Sequence, residues 1–86
     1  MTIFDRARAE GWTLEHTGGG CTALRHESPA GGCWLIVDPD TMQAPIRRQQ
    51  SVRLVGFNGA GEEIERIETT FEDALNLVAD FLANER

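Results

Sequence analysis

The run from Gly11 to Glu27, GWTLEHTGGGCTALRHE, leaves this chain few conformational options. Three consecutive glycines, Gly18 to Gly20, separate two short segments. Glycine reaches positive φ without a Cβ clash, so a tight reversal is predicted there. Before it, Trp12-Thr13-Leu14-Glu15-His16 alternates apolar and polar, the period of a strand with one buried face. Trp12, Leu14 and His16 share one side of that strand; Thr13 and Glu15 share the other. Cys21 to Glu27 is the return strand, so the segment reads as a β-hairpin. It also holds both histidines and one of the two cysteines, which concentrates any His or Cys chemistry here.

The remaining elements follow from local signals. Thr2 is a good N-cap with Asp5 three residues on, and Ile3, Phe4 and Ala7 recur at helical spacing. A short helix over 3–10 is expected, ended by Gly11 in a left-handed conformation. Ser28-Pro29-Ala30-Gly31-Gly32 marks a second turn. Cys33-Trp34-Leu35-Ile36-Val37 is continuously apolar, the pattern of a central strand covered on both faces. Residues 38–51 carry two prolines and form a long connection of the kind that is often mobile or functional. Val52 to Phe57 is a fourth strand, followed by an Asn58-Gly59 turn signal. Glu62 to Glu68 is a fifth. Its Ile64 and Ile67 are three apart, a mismatch that a bulge near Glu65 or Arg66 would repair. Thr69 or Thr70 then opens a helix in which Phe71, Ala74, Leu75, Val78 and Leu82 form a stripe, widened by Leu77 and Phe81.

The order α-β-β-β-loop-β-β-α predicts an α+β fold in a single domain over 1–86. Its sheet is an antiparallel meander of four to five strands, with a short N-terminal helix and a C-terminal helix packed on one face. Trp12, Leu14, Trp34, Ile36, Leu54, Phe71, Leu75, Val78 and Leu82 are expected to be buried together. A chain of 86 residues supports one modest core and little internal room for a cofactor, and none is expected. No secretory leader is visible, and the longest apolar run is far too short to span a membrane. The chain therefore reads as cytoplasmic.

The net charge of −6 is unevenly placed. Residues 1–43 carry −3, residues 44–58 carry +3 and residues 59–86 carry −6. Overall repulsion disfavours nonspecific nucleic-acid binding. Glu62, Glu63, Glu65, Glu68, Glu72 and Asp73 form an acidic run opposed within it only by Arg66. Alternation puts Glu63 and Glu65 on one face, and the helix dipole favours Glu72 and Asp73 where they stand. Such a run is either a solvated face or a carboxylate surface for a basic protein. Arg47 and Arg48, on the long loop, are the other candidates for partner contact.

Signals for chemistry are weak. His16, Cys21, His26 and Cys33 have the spacing H-x4-C-x4-H-x6-C, which matches no strong zinc signature. In a regular strand Cys21 and His26 point to opposite faces. A Cys–His nucleophile pair would need an electropositive, partly open setting that neither cysteine offers in the sequence. The glycine run lacks the Lys-Ser/Thr ending of a phosphate loop. The chain is accordingly read as non-catalytic.

The motif W-x-x-E-H-T-G-G-G-C, from Trp12 to Cys21, resembles small proteins encoded in bacteriophages and mobile elements, over roughly residues 11–37. That resemblance implies a phage or mobile-element setting and carries no functional residues with it. The expected role is an accessory protein that binds another protein, with Glu63, Glu65, Glu68, Glu72, Arg47 and Arg48 as contact candidates. One alternative is an inhibitor of a host defence system, of anti-CRISPR type, using its acidic surface. Another is a small metal- or thiol-dependent enzyme.

Overall fold

The computed structural model describes residues 2–29 and 31–84; Ala30 of the second turn lies outside the described residues. It contains α1 (Ile3–Ala9), β1 (Thr13–Gly18), β2 (Cys21–Glu27), β3 (Cys33–Val37), β4 (Ser51–Phe57), β5 (Glu63–Thr70) and α2 (Phe71–Asn84). The strands form one antiparallel sheet in the order β1-β2-β3-β4-β5, so the meander expected from the sequence is the observed fold.

Local chemistry explains the element ends. Thr2 Oγ1 accepts from the Asp5 amide, and the Thr2 amide donates to Asp5, each at 3.1 Å. This reciprocal capping box satisfies two of the amides that a helix start leaves without partners. Gly11, at φ 99°, ends α1 as expected. Gly18 pairs with Cys21, leaving Gly19 and Gly20 as the turn, with φ 60° and 80°. Two positive φ values in succession are what a two-residue hairpin turn matched to strand twist requires.

Register sorts the side chains into two layers. Leu24 is opposite Ile36, Ile36 opposite Leu54 and Leu54 opposite Ile67, so all four face one side. On that side Ile36, Leu54, Val52, Trp12 and Trp34 form one cluster with Ile3 and Ala7 of α1 and Phe71, Ala74, Leu75 and Val78 of α2. Phe4 and Phe71 join the helices in an edge-to-face contact at 6.4 Å. Leu82 is half-buried against the same cluster.

Three expectations are corrected, and the expected bulge in β5 is present. Leu14 is 56% exposed, because β1 is an edge strand and α2 packs over β3, β4 and β5. β3 is central, but among the described residues both helices cover only its Trp34 and Ile36 side. The bulge expected near Glu65 or Arg66 lies at Ile64, next to Glu65, since Gly56 pairs with Glu65 while Phe57 pairs with Glu63. That places Glu63 and Glu65 on opposite faces of the sheet, contrary to simple alternation.

The long connection, here 38–50, is tied down. Asp38 is buried and accepts from the Asp40 amide at 2.8 Å, the Thr41 amide at 3.4 Å and Gln50 Nε2 at 2.6 Å. Pro45 is fully buried, and the Ala44 amide donates to Thr22 Oγ1. The carbonyls of Gln50 and Arg48 accept from the amides of Phe71 and Glu72. The loop thereby supplies acceptors to the start of α2, alongside the Thr70 hydroxyl that accepts from Asp73.

Candidate protein-binding surface

The six residues expected to contact a partner do not form one site. Glu63 pairs with Arg66 at 2.7 Å, and Glu68 pairs with Arg53 at 2.8 Å, both on the sheet face away from the helices. Glu72, in the first turn of α2, pairs with Arg48. Arg47 is exposed, and its backbone amide donates to Gln50 Oε1. Glu65 stands apart on the helix side, beside the bulged Ile64. Three of the six acids of the run are thus paired, Glu63 with Arg66 inside it and Glu68 and Glu72 with arginines distant in sequence.

Other described carboxylates have no arginine partner. Among the described residues Glu65, Asp73 and Asp80 make no ion pair. Glu65 lies in one hollow with Ile64 and Phe81, and Asp73 and Asp80 stand on α2 within a turn of Leu77. Ile64 is 63% exposed, Phe81 46% and Leu77 43%. Leu77 and Phe81 are one helical turn apart, with Asp73 a turn before Leu77, so acid and apolar groups run along one stripe of α2. The Phe81 ring meets Trp34 edge-on at 5.4 Å. Trp34 in turn rests on Gly56, where a Cβ would lie 2.8 Å from the indole. Trp34, Gly56, Ile64, Glu65 and Phe81 line a hollow of about 180 Å³. Small-molecule sites usually run to roughly 300–1,000 Å³, so this hollow is the size of a partner's side chain. The clue in the sequence was the α2 stripe, which Leu77 and Phe81 widen beyond what one sheet face covers.

The histidines and cysteines do not converge. Cys21 and Cys33 lie on the uncovered face of the sheet, His16 and His26 on the helix side. Among the described residues no three His, Cys, Asp or Glu side chains are grouped to hold a metal ion. His26 packs edge-on against Trp12 at 5.2 Å, with Nε2 2.8 Å from the Glu10 carbonyl and Nδ1 2.7 Å from the Glu27 carbonyl. It fastens the end of α1 to the sheet. Among the described residues no helix is long and apolar enough to cross a membrane.

Comparison with protein-family models, with curated proteins and with solved structures found no match.

Proposed function

We propose that this chain is a small non-catalytic binding domain that docks a basic protein on the surface formed by α2 and the bulge of β5. The observation that carries this reading is that the exposed Ile64 and Phe81 line one hollow with the unpaired Glu65, while the exposed Leu77 and the unpaired Asp73 continue the Phe81 stripe of α2. An apolar centre with a charged rim is the usual anatomy of a protein interface. The hollow beside Trp34 accepts one anchoring side chain, and the rim steers a basic partner toward it. The hairpin resemblance supports an accessory role in a phage or mobile element, in a bacterial cytoplasm. Inhibition of a host defence system is a special case of this reading. It would use Glu65, Asp73 and Asp80, because Glu63, Glu68 and Glu72 are already occupied by arginines.

The test compares the native protein with the double variant Ile64→Arg/Glu65→Arg, each immobilised and exposed to bacterial lysate at low and raised salt. A partner is expected on the native protein alone, held at low salt and released as salt rises. Identical sets of retained proteins on the two would overturn the proposal.

A further inference from the structure

We infer that His26 is a proton-operated clasp: its doubly protonated ring ties the end of α1 to β2, and loss of one proton slackens that end. Both ring nitrogens face acceptors. Nε2 lies 2.8 Å from the carbonyl of Glu10, the C-cap of α1, and Nδ1 lies 2.7 Å from the carbonyl of Glu27 in β2. A carbonyl oxygen only accepts, so each contact needs an N–H on the ring. The imidazolium has two. The neutral ring has one, and turns a lone pair toward the other carbonyl. One of the two contacts is therefore lost when the ring gives up a proton. The ring is closely seated, edge-on to Trp12 at 5.2 Å and against Gly11, where a Cβ would lie 3.0 Å from Nε2.

Few other charges face the ring. Among the described residues Glu10 is its one titratable neighbour in the hollow of about 210 Å³ that both line, and the Glu10 carboxylate is taken by Arg6 at 2.7 Å. α2 presents Val78, Ala79, Leu82 and Ala83 to that hollow, and β3 places Trp34 opposite His26. Arg25 and Glu27 flank His26 on β2, but their side chains point to the other face of the sheet and pair there at 3.0 Å.

The helix so held relies on its attachments. α1 has seven residues, too few to stand alone in water. Ile3 and Ala7 are buried in the core, and Phe4 meets Phe71. Among the described residues two hydrogen bonds join α1 and its cap to other elements: Arg6 to Asn76 at 2.6 Å, and His26 to the Glu10 carbonyl. Histidine changes charge between about pH 5 and 8, so the fastening tightens toward the acid end of that range and slackens toward the alkaline end. Carboxylates ordinarily change charge below this range, and Asp5 of the capping box is held lower still, so the start of α1 does not share the response. The clasp operates whether or not the α2 surface binds a partner.

Amide hydrogen exchange at Glu10, Gly11 and Trp12, whose N–H groups bond back into α1, tests it between about pH 5 and 8 after correction for intrinsic exchange. Their protection is expected to fall by about tenfold from the acid to the alkaline end, the weight of one charge-assisted hydrogen bond. The amides of Leu75 and Val78 in α2 are expected to keep theirs. His26→Phe retains an aromatic ring beside Trp12 and donates nothing, so its α1 protection should be low and level across the range. His16→Asn, altered at the exposed histidine, should behave as the native protein does. Heteronuclear spectra of the native ring nitrogens give a reading without a substitution: two His26 N–H groups at the acid end and one at the alkaline end. Native α1 protection that is level, or rises, with pH would overturn the inference. So would a pH response that survives His26→Phe, or a His26 ring with a single N–H throughout the range.

Discussion

Asp38 shows how much a single side chain decides in this molecule. It opens the long connection and accepts three hydrogen bonds, from Gln50, Asp40 and Thr41. The Gln50 amide first, and the Asp40 backbone amide second, hold its carboxyl below the usual carboxylate range. Asp5 is shifted the same way, chiefly by the Thr2 backbone amide in the capping box of α1. A carboxyl depressed in the folded state adds stability above its unfolded pKa, and that stability is lost as pH falls through the folded value. Urea unfolding is therefore expected to weaken steeply below the ordinary aspartate range. In Asp38→Asn the protein should be weaker at neutral pH and its acid limb flatter. An unchanged acid limb in that variant would separate Asp38 from acid stability. Nothing near Asp38 in the sequence signals this role, because Gln50 lies twelve residues away and meets it only once the loop has closed.

At the scale of elements, α2 is the member on which the core depends. Phe71, Ala74 and Leu75 are fully buried, and Val78 nearly so. Leu75→Ala should cost about 2–5 kcal/mol in denaturant melts, since a residue with no exposure leaves a cavity its neighbours fill only in part. A loss well under 1 kcal/mol would place the stripe outside the core. The elements were largely legible because their signals are local: the Thr2–Asp5 box, the glycine turn, the 3.6-residue stripe of α2. What alternation missed came from neighbours distant in sequence. Leu14 has the right parity for burial, but β1 is an edge strand and no helix reaches over it. The spacing of Ile64 and Ile67 called for a bulge, and its placement at Ile64 was set by pairing with Gly56 and Phe57 of β4. That shift separates Glu63 from Glu65 and divides the acidic run between two faces.

For the whole molecule, the fold buries one side of a five-stranded sheet under two helices and leaves exposed an apolar patch on α2 and β5 with Glu65 beside it. The site was less legible than the fold because ion pairing is decided in three dimensions. Arg48 and Arg53 neutralise Glu72 and Glu68 across fifteen or more residues, while Glu65, Asp73 and Asp80 are among the described carboxylates that make no ion pair. The most direct measurement of the proposed role places a photo-crosslinking side chain at Leu77, and as a control at Leu14, in cells that express the protein. Both positions are exposed and apolar, but only Leu77 lies on the docking surface. Irradiation should yield a discrete heavier product from Leu77, lost on adding Ile64→Arg/Glu65→Arg, and none from Leu14. Equal crosslinking at the two positions, or a Leu77 product that survives the double variant, would contradict the account.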